Sequence, residues 1–489
     1  MEKREEDLLM GLDKGRTTRF HVKTIFTAGM GFFTDAYDLF VTSTALPIIM
    51  VFFGITNSNN IFGVSKVWIF PAASFEEGLI GSMALFGAFV GALVFGRIAD
   101  IYGRKYIYGL EMSILVVFAI FTAFSVNASM LIAGRFVLGI GIGGDYPVSS
   151  TIMSEYSNIK NRGKLVQSVF AMQGFGLLLG AIVGILAIHT VPLYYSWRIM
   201  LGFGAIPAAS VIYLRRKIKE TPRYSIQTKH DLKAGSQAIS EATGTKIENI
   251  DVMESKVSPG PKRGLLRKYS WLLLATAGSW FLFDMAFYGT TINNGTIFKA
   301  MGVASGVTLY SQVNGVAIGN IIISLAFAIP GYWVAFALLD IVGRKKLQWI
   351  GFTVMAVIYF VFAIAFVGLK TDIVLFVGLY GISYFFGNLG PNSTTFILPT
   401  ELFPTAIRTT AHGISASSGK LGAGTFTLLE PAVAAFFGIT AVFSLLCGFA
   451  LIAIILTLTL IKETKGKSLE ILSEQKLPNT ERHQYNFGK

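Results

Sequence analysis

Charged residues are scarce in this sequence. Asp, Glu, Lys and Arg make up 14% of the 489 residues, whereas a soluble domain carries about 25%. Hydrophobic residues make up 53%. This deficit of charge excludes an ordinary soluble protein, and we predict a chain that lies in a lipid bilayer.

Cysteine and recognisable catalytic patterns are also missing. The only cysteine, Cys447, excludes a disulfide framework and a cysteine metal site. The sequence contains no His-Glu-x-x-His, no Gly-x-Ser-x-Gly and no cluster of metal-ligand residues. We therefore predict neither an enzyme nor a bound metal or cofactor.

Long apolar stretches recur along the chain. A helix that crosses a bilayer needs about 20 mostly apolar residues, and twelve stretches satisfy this requirement. In chain order, the predicted spans are 22–53, 76–96, 106–126, 129–153, 164–190, 197–214, 270–297, 309–338, 347–368, 373–398, 410–436 and 438–461.

The positive charges lie on one side of these spans. Thirty-five of the 41 Lys and Arg residues fall in the two tails or near the loops that follow even-numbered spans. Because Lys and Arg are retained on the cytoplasmic side, we predict a multi-pass plasma-membrane protein with both termini in the cytoplasm. The net charge of +13 then reflects topology, and we expect no nucleic-acid partner.

Three acidic motifs occur twice along the chain, and each lies near the end of an even-numbered span. The pairs are Asp100 and Asp340, Glu155 and Glu401, and Glu220 and Glu463, at offsets of 240, 246 and 243 residues. Repetition with nearly one period predicts that the chain consists of two related halves.

The repeat predicts an all-α membrane protein with 12 transmembrane helices in two pseudo-symmetric six-helix bundles. The first bundle covers 1–217 and the second covers 269–461. A cytoplasmic linker, 218–268, joins them, and 462–489 forms a cytoplasmic tail. Parallel six-helix repeats are one architecture of secondary transporters, with the binding site at mid-membrane between the halves.

Four carboxylates lie inside predicted spans: Asp35, Asp38, Asp145 and Asp284. Each acid at mid-helix costs about 2.5–3.5 kcal/mol on insertion scales, so their presence indicates a function. Asp35 and Asp38 are neighbours on one helix face, and one of two close carboxyls should keep its proton in a poorly hydrated place. We predict that the four acids carry protons. The structural alternative is a pair between Asp38 and Arg135.

Two other features of the spans allow two interpretations each. Trp280, Asp284 and Tyr288 recur every four residues and form one stripe on span seven. This stripe either donates hydrogen bonds to an oxyanion or is an aromatic packing surface. Lys420, deep in span eleven, either attracts an anion or is the counter-ion of Asp284 or Glu430.

Charged residues at the inner ends of the spans should act near the membrane surface. Glu111, in span three, lies either on a proton path or reaches towards the interface, and we expect the latter. Other charges there are predicted to form a cytoplasmic gate, pairing with helix ends in one conformation and releasing them in the other. The gate residues are Arg97, Asp100, Arg104, Asp340 and Arg344.

The repeated loop motif resembles that of the major facilitator superfamily. This motif, Asp-x-x-Gly-Arg-Lys, begins at Asp100 and again at Asp340. The stretch Gly-Asp-Tyr-Pro-Val-Ser-Ser-Thr-Ile-Met-Ser-Glu at 144–155 looks like the signature of the phosphate:proton symporter family within that superfamily. Three further segments fit the same family, at 31–40, 280–289 and 390–396. The resemblance covers nearly the whole chain except the tails.

This resemblance implies a proton-coupled importer of inorganic phosphate that works by alternating access and functions as a monomer. It also implies that the phosphate contacts are Tyr146, Gln173, Trp280, Asp284, Tyr288 and Asn392. Two alternatives remain open: transport of another solute, such as a sugar or an organic anion, and a phosphate sensor. Sugar sites usually contain several Gln and Asn residues and few acids, which favours phosphate here.

Overall fold

The protein is almost entirely helical. The computed structural model describes residues 2–244 and 264–473. In these two stretches, eleven helical segments are long and apolar enough to cross a membrane, each where the sequence predicts a span. They are Arg19–Phe52, Ala72–Tyr102, Arg104–Ala123, Ala128–Tyr156, Arg162–Thr190, Leu193–Arg216, Ser270–Ile292, Leu309–Val342, Arg344–Leu369, Ile373–Leu402 and Ile439–Leu460.

The remaining predicted span, span eleven, is the 30-residue helix Arg408–Phe437. It is less apolar than the others because it is rich in Gly, Ser and Thr and carries Lys420 and Glu430. Most of its residues are buried, so neighbouring helices surround its polar groups. The prediction of an all-α membrane protein is therefore confirmed, with six such helices before residue 244 and six after residue 264.

Five of the spans are interrupted. Two of the interruptions are π-helical turns, Ser324–Ala328 in span eight and Asn388–Asn392 in span ten, and such turns are frequent at functional sites. The helical parts of the five spans are Arg19–Phe40 and Thr42–Phe52, Arg104–Ile107 and Leu110–Ala123, Leu193–Gly202 and Ala205–Arg216, Leu309–Ile323 and Ile329–Val342, and Ile373–Gly387 and Ser393–Leu402.

Short elements lie at both ends of the spans. One end, which we call the terminal face, carries the helices Glu2–Lys14, Pro222–Gln227, Leu232–Thr243, Leu265–Lys268 and Leu469–Leu472. The opposite face carries the helix Asn294–Ala300 and the antiparallel strands Lys66–Val67 and Phe70–Pro71. Parts of the predicted linker and tail, 245–263 and 474–489, lie outside the described residues.

The two halves meet along two pairs of helices. Ala72–Tyr102 packs along Arg408–Phe437, and Arg162–Thr190 packs along Ile329–Val342. Within the first half, glycines allow spans two and four to approach closely, since a Cβ atom on Gly143 would lie 2.0 Å from the backbone oxygen of Ala88. This packing places Ala128–Tyr156 and Ser270–Ile292 beside the boundary between the halves.

Candidate substrate site and gate

A hydrogen-bonded cluster is buried where the two halves meet. The hydroxyl oxygens of Tyr146, from span four, and Tyr288, from span seven, are 3.0 Å apart. Gln173 Nε2, from span five, donates to Tyr146 Oη at 3.1 Å. All three side chains are at most 1% exposed. The cluster therefore joins the halves through polar groups that are shielded from solvent.

The cluster continues into spans eight and ten. Tyr332 Oη donates to Gln173 Oε1 at 2.7 Å, and Asn392 Nδ2 donates to Tyr332 Oη at 2.8 Å. Asn392 is the last residue of the π-helical turn Asn388–Asn392, which turns its amide towards the centre. Tyr332 was not singled out from the sequence, where a lone tyrosine in an apolar span gives little signal.

A buried ion pair lies against the two tyrosines. Lys420 Nζ is 3.0 Å from Asp284 Oδ2, and the two side chains are 1% and 0% exposed. The Lys420 ammonium is 3.9 Å from the ring centroid of Tyr288 and 4.4 Å from that of Tyr146, within the range of a cation–π interaction. Of the two predicted counter-ions, Asp284 is the one that contacts Lys420.

Trp280 completes the cluster from the same helix as Asp284. Its ring centroid is 6.1 Å from that of Tyr146, and Gly419 leaves room for the indole, since a Cβ atom there would be 2.5 Å from Trp280 Cδ1. The structure thus brings together all six residues to which the family resemblance assigns phosphate contacts. They are Tyr146, Gln173, Trp280, Asp284, Tyr288 and Asn392.

Asp35 lies next to this cluster. Its side chain is 0% exposed, and no described residue hydrogen-bonds to either carboxyl oxygen. Asp145, Tyr146 and Lys420 are all within electrostatic range of it. An isolated ionised carboxylate in such a place is costly.

Asp38 and Arg135 lie side by side. Arg135 Nη2 donates to the backbone oxygen of Asp38 at 3.3 Å, and both residues are buried, at 1% exposure. The hydrogen bond goes to the backbone of Asp38, so its carboxyl group is not held in a bidentate pair. The guanidinium of Arg135 is within electrostatic range of this acid.

Asp145 is held differently. Arg215 Nη1 and Nη2 donate to its two carboxyl oxygens at 2.7 and 2.8 Å, and Ser149 Oγ donates to Oδ1 at 2.5 Å. Gly31 makes room for this pair, because a Cβ atom there would lie 1.7 Å from Arg215 Nη2. Asp145 is therefore a paired acid, in contrast to Asp35.

The expectation that Glu111 reaches the membrane interface is wrong. Its side chain is 0% exposed, and Arg215 Nη1 donates to its Oε1 atom at 2.8 Å. The backbone N–H of Gly109 also donates to the carboxyl group, at 2.8 Å. The apolar stretch of span six predicts a helix that ends at 214, which leaves Arg215 outside the bundle.

Two buried carboxylates close the terminal face. Glu155 Oε1 lies 3.0 Å from Arg104 Nη2 and 3.0 Å from Arg408 Nη1. Arg104 belongs to the first half and Arg408 to the second, so the carboxylate ties the halves together. Buried charges of this kind need all of their partners.

The second carboxylate, Glu401, repeats this arrangement with the halves exchanged. Glu401 Oε1 lies 2.8 Å from Arg344 Nη2 in its own half and 2.8 Å from Arg162 Nε in the other half. Arg344 also contacts Asp340 at 2.9 Å. The sequence repeat therefore corresponds to two copies of one ion-pair arrangement.

Two aspartates of the loop motif contact helix N-termini across the boundary. Asp100 Oδ2 accepts from the N–H of Thr410 at 2.6 Å, and Asp340 Oδ2 accepts from the N–H of Lys164 at 2.9 Å. A carboxylate at a helix N-terminus is stabilised by the helix dipole.

Arg97 does not fit the predicted gate. Its side chain is exposed, because it points away from the face of the helix that meets the other half.

Arg223 joins three elements of the terminal face. It pairs with Asp13 and, through Nε at 3.1 Å, with Glu470. Its Nη1 also donates to the backbone oxygen of Glu155 at 2.7 Å. Burial raises the pKa of Asp13 to about 6 despite the adjacent guanidinium. Burial opposes ionisation of Glu470 as well, but Arg223 outweighs it and lowers the pKa of that carboxyl.

Comparison with known proteins agrees with this geometry. The family described as "Sugar (and other) transporter" matches residues 24–475. Inorganic phosphate transporter 1-1 of Oryza sativa subsp. japonica is 37% identical over 519 residues, which cover 96% of each chain. Low affinity inorganic phosphate transporter 1 of Petunia hybrida is 35% identical over 96% of this chain and 95% of that protein.

The solved structures give the same fold. The major facilitator superfamily proton:xylose symporter XylE has a TM-score of 0.75 with 19% identity, over 94% of this chain and 99% of that one. A partially occluded inward-open form of the xylose transporter XylE from E. coli has a TM-score of 0.71 with 18% identity, over 92% and 100% of the two chains. The chain therefore belongs to the sugar (and other) transporter family of the major facilitator superfamily, in the branch that contains its inorganic phosphate transporter relatives.

Proposed function

We propose that this protein imports inorganic phosphate together with protons, by alternating access of a central site. The observation that carries the proposal is the ion pair of Lys420 and Asp284, buried against Tyr146 and Tyr288 at the boundary between the halves. Phosphate presents only oxygen atoms, and the cluster offers an ammonium, an indole, an amide and phenols as donors. The relatives named as inorganic phosphate transporters support the same substrate.

The pair also provides a route to coupling. While Asp284 is ionised it neutralises Lys420 and repels an incoming anion in a site of low dielectric. Protonation of Asp284 releases the ammonium for phosphate and turns the carboxyl into a hydrogen-bond donor. Each ligand then favours binding of the other, which is the reciprocity that defines coupling free energy.

Asp35 is the second proton carrier in this scheme. It is buried without a hydrogen-bond partner among the described residues and within electrostatic range of Lys420. A proton that moves between Asp35 and Asp284 would change the charge beside the phosphate without a large movement of the backbone. Asp38 extends this path, and Asp145 acts on it through Arg215.

The gate supports alternating access. Glu155 and Glu401 tie the halves together at the terminal face, so the site is closed on that side. We assign the terminal face to the cytoplasm of a plasma-membrane protein, because Lys and Arg are concentrated there. A single chain contains the whole cluster, which supports a monomeric transporter.

Uptake of labelled phosphate by the purified protein in liposomes tests the proposal. We expect accumulation when the outside is acidic, and competition by arsenate but not by xylose. Asp284→Asn should retain phosphate counterflow and lose acceleration by the proton gradient, whereas Asp7→Asn, an exposed acid, should behave as wild type. Competition by xylose would favour a sugar substrate, and a proton response that persists in Asp284→Asn would contradict the role of this acid.

A further inference from the structure

A cavity of about 520 Å³ lies between the halves on the face opposite the terminal face. We call it the outer vestibule. None of the central-cluster residues lines it. Phe40 is stacked on Tyr288 of that cluster, with ring centroids 5.2 Å apart, and Ser43, close to Phe40 in the chain, lines the vestibule. The polar residues of its wall include Ser43, Glu77, Asn293, Thr296, Lys299 and Gln312.

A hydrogen-bonded layer separates the vestibule from the centre. Asn320 Nδ2, from the second half, donates to Ser43 Oγ, from the first half, at 2.8 Å. Asn294 Nδ2 donates to Asn320 Oδ1 at 2.7 Å, and Tyr380 Oη donates to Asn294 Oδ1 at 2.7 Å. A solute that enters the vestibule therefore meets a polar layer that must open before it reaches the central cluster.

Glu430 is buried behind the vestibule wall. Its side chain is 0% exposed, and among the described residues neither carboxyl oxygen makes a well-formed hydrogen bond. Asn293 is its polar neighbour, and Glu77 is within electrostatic range. Asn293 Nδ2 donates to the backbone oxygen of Thr427 at 3.0 Å, while its Oδ1 atom lacks a partner within the described part of the chain.

Protonation of Glu430 removes a buried negative charge. An ionised carboxylate without donors is costly in such a place. A protonated one has a hydroxyl hydrogen to donate, and the neighbouring Asn293 has an Oδ1 atom without a partner among the described residues. The structure therefore suits Glu430 as a neutral acid whose proton is exchanged through the vestibule.

The charged groups near Glu430 and the vestibule come from two elements. Glu77 belongs to span two, and Lys299, which also lines the vestibule, belongs to the helix Asn294–Ala300. Glu76 lies beside Glu77, but its Oε2 atom accepts from the N–H of Ile61 at 3.0 Å. Lys66 of the first strand is exposed. Glu77, Glu430 and Lys299 thus set the charge of the vestibule.

The protonation state of the two acids decides whether an anion is attracted. With both acids ionised, the three groups carry a net charge of −1; with both protonated, Lys299 alone remains and the charge is +1. We propose that the outer vestibule is a capture site for inorganic phosphate, in which Lys299 binds the anion when Glu77 and Glu430 are protonated. Asn293, Thr296 and Gln312 supply additional hydrogen-bonding groups.

This inference rests on the proposed phosphate import and adds a second site, on the outer side of the central one. It predicts that acid outside promotes capture of phosphate before the transport step. The effect should appear in the apparent KM for external phosphate, because capture affects binding rather than the movement of the halves.

Phosphate counterflow in liposomes, with equal pH on both sides, tests the capture site. We compare KM at pH 5.5 and 7.5 for wild type, Glu77→Gln, Glu430→Gln and the double variant. Because a change of one unit charge in a hydrated cavity corresponds to about a fivefold change in affinity, the double variant should have a KM at pH 7.5 about fivefold or more below that of wild type. Phosphate itself changes its protonation state between pH 5.5 and 7.5, so the KM of each variant is compared with that of wild type at the same pH.

Lys299→Gln provides the complementary measurement. It should raise KM about fivefold at pH 5.5 while the maximal rate stays unchanged. Lys370→Gln is the matched control, since Lys370 is an exposed lysine at the same face and outside the vestibule. If Glu430→Gln fails to give folded protein on size-exclusion chromatography, the KM values of Glu77→Gln and Lys299→Gln still test the capture site.

The two proposals fail in different ways. Wild-type liposomes without any phosphate uptake would overturn the import of phosphate and the capture site with it. Uptake by wild type, together with a wild-type KM in Lys299→Gln or a wild-type pH dependence in Glu77→Gln, would overturn the capture site alone.

Discussion

The buried pair of Lys420 and Asp284 should be strongly coupled in a double-variant measurement. The two charged atoms are 3.0 Å apart, and at an effective dielectric constant of about 20 this separation gives an attraction of about 5 kcal/mol. Desolvation opposes this attraction, so the pair adds much less than this to stability. Removing one partner leaves an uncompensated buried charge, which costs about 3–5 kcal/mol.

We therefore expect Lys420→Gln and Asp284→Asn each to lower the unfolding temperature markedly. The double variant has no buried charge at this place and should unfold at a higher temperature than the more destabilised single variant. Intrinsic tryptophan fluorescence of the purified protein in detergent, heated at neutral pH, measures all three.

An exposed ion pair supplies the matched control. Lys219 and Glu241 form a salt bridge whose side chains are 58% and 45% exposed, and such pairs contribute about 0–1 kcal/mol. Lys219→Gln, Glu241→Gln and their combination should change the unfolding temperature little and additively. If the shifts for Lys420→Gln and Asp284→Asn also add up in their double variant, the two charges are not coupled and the argument for their role in transport fails.

Asp340→Asn should weaken the hydrogen bond that the Gly163 N–H donates to residue 340 at the terminal face. Hydrogen exchange at the Gly163 amide should therefore become faster. An unchanged exchange rate would argue against this contact. Gly143→Leu should abolish folded protein on size-exclusion chromatography, because even a Cβ atom there would lie 2.0 Å from the backbone oxygen of Ala88. Gly448→Leu should be tolerated, because a Cβ atom at Gly448 would have no neighbouring atom within 4 Å. Equal yields of the two variants would contradict close packing at Gly143. Because the folded-state pKa of Asp13 is raised to about 6, its contribution to stability is greatest at low pH and is lost as the pH rises through 6. The terminal helix should thus be better protected from exchange, after correction for intrinsic rates, at pH 5.5 than at 7.5, and Asp13→Asn should remove that difference.

The helices and their arrangement were predictable because the bilayer imposes simple rules. Apolar length gives the spans, and the repeated motifs at Asp100 and Asp340 gave the two halves. The span 410–436 was found from its length and position, although Lys420 and Glu430 make it less apolar than the rest.

The central cluster was predictable mainly through the resemblance to a family. The i, i+4 spacing of Trp280, Asp284 and Tyr288 shows that they share a face, but spacing within one helix does not show which groups of other helices they meet. The partner of Asp145 illustrates this limit. Arg215 lies 70 residues further along the chain, at the end of another span, and only the packing of four helices brings it to this acid.

Tyr332 and Arg223 were missed for the same reason. Tyr332 gains its role from hydrogen bonds to Gln173 and Asn392, which come from both halves. Arg223 follows span six in a basic stretch, where the sequence gives no sign that it is buried. Long-range pairing of polar groups depends on the packed structure, and local sequence patterns do not report it.

The duplicated carboxylates Glu155 and Glu401 hold the terminal face together through two separate sets of ion pairs. Each carboxylate pairs with one arginine from each half. The halves can therefore separate at this face only when both sets of ion pairs are broken. A substitution at one of the two carboxylates should weaken one set of contacts while the other set still joins the halves. Because the repeat supplies this arrangement twice, a substitution can alter one copy while the other remains intact.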